Sequence, residues 1–256
     1  MANNILKNKN CLITGATGGI GKEIAKELAA HSCNLFLTST NKTKLSKLKT
    51  QLQKINKNIR IEFFASDLTI NTNITSFFNY VDNNFNPIDI VINSAGVFMI
   101  KSIEKSTIND FDNAMNLNVK LPFLLSKQFS KNMIKKKWGR IVMIGSSSSY
   151  SGFENGSIYC TTKHSLLGLS RALNVELKKK NIRVLSISPA STQTKMAKIS
   201  TDQDFTTFLN PKEVAQYVSH VLSFGRMSMN TKAVAYLRPT DRIAKCYFLH
   251  GFPLGT

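Results

Sequence analysis

Short runs of β-prone apolar residues alternate along this chain with longer stretches in which apolar positions recur every three or four residues. The short runs Cys11–Thr14, Leu35–Thr38, Ile59–Phe64, Ile88–Ile92, Arg140–Ile144, Arg183–Ile187 and Ala233–Leu237 predict strands. The stretches Ile20–Ala30, Lys42–Ile55, Ile74–Asn83, Ile108–Lys136, Ser157–Lys180 and Pro211–Leu222 predict helices. Strands that are apolar throughout and separated by long helices require a parallel sheet buried on both faces. With right-handed crossovers, this predicts a doubly wound α/β fold of seven parallel strands, helices on both faces. No linker, repeat or low-complexity stretch divides the chain, so one domain is expected. The one long stretch without clear periodicity, Ala190 to Asn210, follows the sixth strand and is expected to act as a lid, because ligands of such sheets sit beyond the carboxyl ends of the strands.

Composition agrees with a folded chain: 256 residues, 42% apolar, suffice for a substantial core. No apolar run approaches the length of a membrane span, and the start alternates Asn and Lys without a signal-like core. A cytoplasmic protein is therefore expected. Cysteines at 11, 33, 160 and 246 form neither paired motifs nor a His-flanked cluster, so neither a metal site nor a disulfide scaffold is expected. The 34 Lys and Arg against 15 Asp and Glu give a formal charge of +19. Lysines are spread through nearly every predicted element, and the tight runs Lys135–Lys137 and Lys178–Lys180 carry no interleaved aromatics. A solvated basic surface is the main reading, an acidic protein partner the second, and nucleic acid the least favoured.

Directly after the first predicted strand come Thr14-Gly15-Ala16-Thr17-Gly18-Gly19-Ile20-Gly21 and then a helix. Glycines at 15, 19 and 21 allow a tight turn, close approach of backbone to a pyrophosphate and close helix-strand packing, with phosphates at the helix N-terminus. The second strand runs into Thr38-Ser39-Thr40-Asn41-Lys42, which lacks the carboxylate that would bind the ribose hydroxyls of NAD. Thr40 and Lys42 instead favour the phosphate of NADP(H), with NAD(H) as the alternative. After the third strand, Asp67 is either an acceptor for the adenine amino group or a helix N-cap, with Leu68 beside it.

Tyr159 and Lys163 are four residues apart on a predicted helix, hence on one face, and Ser146 ends the fifth strand. A neighbouring ammonium is expected to stabilise the phenolate and lower the tyrosine pKa from near ~10, as reversible proton transfer to a carbonyl oxygen requires. Together these motifs resemble the classical short-chain dehydrogenase/reductase family over most of the chain. Thr14-Gly15 with Gly19 and Gly21 resembles its cofactor loop, and Asn93-Ser94-Ala95-Gly96 its NNAG motif with Ser for the second Asn. Asn118, Ser146, Tyr159 and Lys163 fall on its catalytic tetrad, and Pro189-Ala190-Ser191-Thr192-Gln193-Thr194 resembles the segment that closes over the nicotinamide.

The resemblance implies one Rossmann-type domain, with a cofactor-binding half 1–96, a catalytic half 97–189, the lid at about 190–210 and a C-terminal helix and strand in 211–256. It implies cofactor contacts from Gly15, Thr17, Gly19, Ile20, Gly21, Thr40, Lys42, Asp67, Leu68, Asn93, Ala95, Gly96, Tyr159, Lys163, Pro189, Thr192 and Thr194. In the mechanism it implies, hydride passes between the nicotinamide and a carbonyl carbon while Tyr159 gives a proton to the oxygen. Ser146 holds that oxygen, Lys163 holds the nicotinamide ribose and tunes Tyr159, and Asn118 fixes a water leading to solvent. A homo-oligomer, tetramer or dimer, is also implied. Three departures stand out. Gly18 occupies a slot where many NADP-using members are basic, Ala190 replaces a Gly, and the ending from Arg238 to Thr256 lacks the common VDGG-like form. Asn118 to Lys127 followed by Trp138-Gly139-Arg140-Ile141-Val142 is similar to the 3-oxoacyl-acyl-carrier-protein reductases, which implies a carrier-bound substrate. Lys127 and the 178–180 run are then expected to meet the acidic carrier, while Met196 and Phe205 admit an acyl chain. The alternatives are a reductase of a sugar or other small polar ketone, and a non-catalytic NAD(P)-binding regulator.

Overall fold

The computed structural model describes residues 5–199, 204–224 and 234–237. The strands are β1 Asn10–Thr14, β2 Asn34–Ser39, β3 Ile61–Ala65, β4 Ile90–Asn93, β5 Gly139–Ile144, β6 Ile182–Pro189 and β7 Val234–Leu237. The α-helices are α1 Gly19–Ala30, α2 Lys42–Ile55, α3 Asn71–Asn84, α4 Ile108–Met115, α5 Leu121–Lys136, α6 Ser157–Leu177 and α7 Pro211–Ser223. The strands lie in the order β3-β2-β1-β4-β5-β6-β7 and every pair is parallel. Ala233 and everything from Arg238 to Thr256, including Cys246 and the atypical ending, lie outside the described residues.

Apolar alternation sorts the core into two layers. On β5, Val142 and Ile144 join Ile24, Leu28, Leu48 and Val218, whereas Ile141 and Met143 join Phe77, Phe129 and Leu166. Helices α1, α2 and α7 thus cover one face, and α3, α5 and α6 the other. On the lysine-rich α2 a narrow stripe of Leu45, Leu48 and Leu52 suffices to dock it, with Asn41 Oδ1 capping the Lys44 N–H.

Two predicted helices are corrected. The stretch Ile108–Lys136 is not one α-helix: it widens to a π-helical turn at Asn116–Lys120. The extra residue turns the Asn118 side chain inward, where it is 1% exposed. The helix from Ser157 ends at Leu177, and Lys178–Lys180 form a 3-10 turn that closes on Asn181 in the left-handed region (φ 61°).

The strand order reverses at β1, whose neighbours are β2 and β4. A crevice therefore opens beyond the carboxyl ends of β1 and β4, where a doubly wound sheet receives its ligand. Residues 15–21 and 93–96 border it. Residues 190–199 and 204–210 run beside it, tied to each other where Gln193 N–H donates to Leu209 O and Leu209 N–H to Ser191 O, both at 2.9 Å.

Candidate active site

The turn after β1 depends on Gly15. Its φ is +61°, and a Cβ there would fall 2.8 Å from the backbone of Ala95. Thr14 locks the same junction, its Oγ1 accepting from Ser94 N–H (3.2 Å) and Ala95 N–H (3.1 Å). Helix α1 then starts with neither a capping side chain nor an acidic residue in its first turn. The N–H groups of Gly19, Ile20 and Gly21 and the positive end of the helix thus face the crevice, a donor set suited to a pyrophosphate. Thr17 is partly exposed in this turn, and at the end of β2 Thr40 and Lys42 are exposed.

Asp67 departs from one of its two expected roles. Helix α3 starts later, with Ile70 at its N-cap, so Asp67 does not cap it. Its Oδ1 instead accepts from Thr69 N–H (2.9 Å) and Thr69 Oγ1 (2.7 Å), which folds an exposed turn with Leu68 buried beneath. Asn93, expected as a cofactor contact, ends β4. Its amide is buried in the sheet, where Nδ2 donates to Val142 O at 3.2 Å.

Beyond β5 the catalytic candidates converge. Ser146 is partly exposed and hydrogen-bonds the Tyr159 phenol. Lys163, one turn on along α6, is 7% exposed and donates from Nζ to Ile144 O at 3.0 Å. Its Nζ lies 5.6 Å from the Tyr159 ring centroid. Asn118 Oδ1 accepts from Val97 N–H (2.8 Å) while Nδ2 donates to Val97 O (3.0 Å) and to Thr162 Oγ1 (3.0 Å). Gly96 nestles between them: a Cβ there would be 3.1 Å from Asn118 Oδ1 and 4.0 Å from Lys163 Nζ.

The electrostatics correct one expectation. Burial pushes the Tyr159 phenol up to about 12, opposed by the Ser146 hydrogen bond and reinforced by Cys160. Lys163 is not among the groups that set this value: its Nζ donates its hydrogen bond to Ile144 O, and burial brings its own pKa down to about 8.

A cleft of about 540 Å³ opens over Ser146 and Tyr159. Pro189 and Ala190 floor its exit from β6, and Thr192, Thr194 and Met196 form the lid wall. Thr192 Oγ1 is engaged with Ala190 O at 2.9 Å, and Thr194 Oγ1 accepts from Ala197 N–H at 3.3 Å. Thr194 rests on the phosphate turn, since a Cβ on Gly19 would fall 2.5 Å from Thr194 Cγ2. The run Lys178–Lys180, by contrast, is placed far away. It sits at the opposite end of α6, about 28 Å from Tyr159 at the ordinary helical rise. Phe205 turns to Phe208 at 5.3 Å, and Phe208, not Phe205, lines the cleft.

Sequence reasoning missed the aromatic wall. Phe98 meets the Tyr159 ring edge-on at 4.7 Å and Phe153 at 6.1 Å. The signal was present in Val97-Phe98-Met99-Ile100, an apolar run immediately after a strand-end glycine, and in Phe153 between Gly152 and Glu154. Thr162, which joins Asn118 to the Tyr159 carbonyl at 2.8 Å, was also missed.

Comparison with known proteins places this geometry. The profile of the short chain dehydrogenase family matches residues 9–204. A 3-oxoacyl-acyl-carrier-protein reductase of Buchnera aphidicola is 32% identical over 83% of this chain and 82% of its own. An uncharacterized oxidoreductase of Staphylococcus epidermidis is 28% identical over 85% of this chain and 92% of its own. Among solved structures, a short-chain dehydrogenase from Sphingobium yanoikuyae in complex with NADPH superposes with a TM-score of 0.80 at 25% identity, covering 92% of this chain and 89% of that one.

Proposed function

This chain belongs to the short-chain dehydrogenase family, and on that premise we propose that it is an NADP(H)-dependent oxidoreductase interconverting a ketone and a secondary alcohol, its best substrate reading a 3-oxoacyl thioester. The observation that carries the chemistry is that Ser146 and Tyr159 line one cleft while Lys163 and Asn118 lie buried behind them on either side of Gly96. NADP(H) supplies or accepts the hydride. Its pyrophosphate would be held by the N–H groups of Gly19 to Gly21, its 2′-phosphate by Thr40 and Lys42, and its ribose by Tyr159 and Lys163.

The chain's own part is proton management. Tyr159, protonated through neutral pH, gives its proton to the carbonyl oxygen as that oxygen gains charge, while Ser146 donates a hydrogen bond to it. Lys163 stands one helical turn away, its ammonium held on Ile144 O. Asn118, carried inward by the π turn, holds the Val97 backbone next to the cleft-lining Phe98 and links it through Thr162 to the Tyr159 carbonyl. Three relatives bearing the 3-oxoacyl-acyl-carrier-protein reductase name, 27–32% identical, support the thioester reading. With the 178–180 run so distant, Lys127 on α5 remains the candidate contact for an acidic carrier. Exposed Ile108, Phe111 and Phe123 along α4 and α5 support a homo-oligomer. The deciding experiment is NADPH oxidation with acetoacetyl thioester, alongside calorimetry of NADPH and NADH. Turnover with tighter NADPH binding supports the proposal, and binding of neither nucleotide overturns it.

A further inference from the structure

One buried amide reaches Tyr159 by two routes, through its backbone and through its ring. Asn118 Nδ2 donates to Thr162 Oγ1 at 3.0 Å, and that hydroxyl donates to Tyr159 O at 2.8 Å. The same side chain grips Val97, accepting from its N–H and donating to its carbonyl. Val97 is followed by Phe98, whose ring meets the Tyr159 ring edge-on, with centroids 4.7 Å apart and planes at 82°. We infer that Phe98 is a positioning residue for the proton donor, fixing the plane of the Tyr159 ring and keeping water from it. The inference rests on the oxidoreductase reading and adds to it a residue that acts through Tyr159.

Helix α6 fixes the Tyr159 backbone, but the last torsion of a tyrosine is broad and takes its angle from what packs on the ring. An edge-to-face partner supplies that angle, since such pairs attract beyond the area they bury. Phe98 is able to impose it because its own segment is tied down. Besides the two bonds to Val97, Lys101 N–H donates to Asn155 O at 2.7 Å, which joins residues 97–101 to the turn before α6. Phe153, in that turn, stands farther off, 6.4 Å from Tyr159, and is 40% exposed. It leans on Gly156, where a Cβ would fall 2.5 Å from its ring, and backs Phe98 at 6.1 Å. So packed, Tyr159 is only 9% exposed although it borders a cleft that also carries serines and threonines. The titratable groups around it are Cys160, Lys163 and His164 on α6, Tyr150 and Glu154 in the preceding turn, and Lys101, paired with Asp110, on the Phe98 segment. All of them remain when Phe98 is replaced, so a change in Tyr159 ionisation reads the ring.

The test follows the Tyr159 phenol by phenolate absorbance on the full chain between about pH 8 and 11, each trace taken as the difference from the same chain carrying Tyr159→Phe. Reduction of acetoacetyl thioester by NADPH and calorimetry of NADPH are run beside it. The native phenol, pushed up to about 12, should ionise little in that range. Phe98→Ala should bring its ionisation down by about one pH unit or more and lower kcat about tenfold or more, with NADPH affinity unaltered. Phe98→Tyr, which restores a ring, should return both quantities toward the native values, and Phe153→Ala should change each less than Phe98→Ala does. If Phe98→Ala does not fold, Phe98→Leu, which keeps apolar bulk and loses the plane, should move both in the same directions. Either quantity unmoved by the variant used would overturn the inference, as would a loss that Phe98→Tyr does not restore or one confined to NADPH affinity. If the native chain does not oxidise NADPH, the oxidoreductase reading fails, and the absorbance titration still decides whether Phe98 sets the state of Tyr159.

Discussion

Two residues carry opposite electrostatic burdens. Tyr159, with its pKa raised from near 10 to about 12, is stable in the fold as a neutral phenol. Reduction should therefore keep its proton donor across the neutral and mildly alkaline range. Alcohol oxidation needs the phenolate, so its rate should climb as pH rises toward 10, a divergence visible in parallel pH profiles of the two directions. Tyr159→Phe should retain NADPH binding and lose turnover by at least about 10²-fold, measured by steady-state kinetics. Lys163 works against folding. Its folded pKa of about 8 lies below the ordinary 10.5, so between those values the unfolded chain binds the extra proton and stability rises with pH. Below pH 8 the whole cost is present. Lys163→Met should accordingly abolish activity yet raise stability at pH 7 by on the order of 1–3 kcal/mol, read as a higher Tm. A melting point below that of the native chain would contradict the burial argument.

At the scale of elements, the π turn at 116–120 and the lid are what sequence periodicity could not see. An α-helical pattern and one with a single extra residue differ by one register step, and apolar positions on both sides of Asn118 satisfy either. The turn becomes visible only through the buried bonds of Asn118 to Val97 and Thr162. Asn118→Ala would orphan the Val97 backbone pair and should destabilise by about 1–3 kcal/mol, measurable by denaturant unfolding. The strands were legible because the runs of Val, Ile and Leu in β1, β4, β5 and β6 have no solvated face to confuse the pattern. Ser146, Tyr159 and Lys163 were legible because strand end and helical spacing alone bring them together. Phe98 and Phe153 were not, since loop side chains take their direction from tertiary packing and obey no period. The state of Tyr159 escaped for a related reason: desolvation belongs to the whole environment, and spacing along a helix records only the neighbour.

For the molecule as a whole, +19 is not spread evenly around function. The lysines at 178–180 are joined to the end of α5 by Asn181 Nδ2, which donates to Lys137 O at 2.7 Å. Two basic runs distant in sequence thus become neighbours at the end of the sheet opposite the cleft. Replacing Lys178, Lys179 and Lys180 by Gln should leave kcat/KM for a carrier-bound substrate unchanged, whereas Lys127→Glu should lower it and leave small ketones unaffected. At the other end, one short piece of chain touches both ligands' places: Thr194 lies on the phosphate turn at Gly19, while Met196 and Ile199 wall the cleft. On the proposed function, a dinucleotide that shifts that piece should change the affinity for the carbonyl substrate, and the reverse, by the same factor. Gly19→Ala, which forces Thr194 off its seat, should therefore weaken both ligands and also shrink the factor by which each improves the other. A contact between one methyl group and one glycine would then serve as a shared lever for two chemically unrelated ligands.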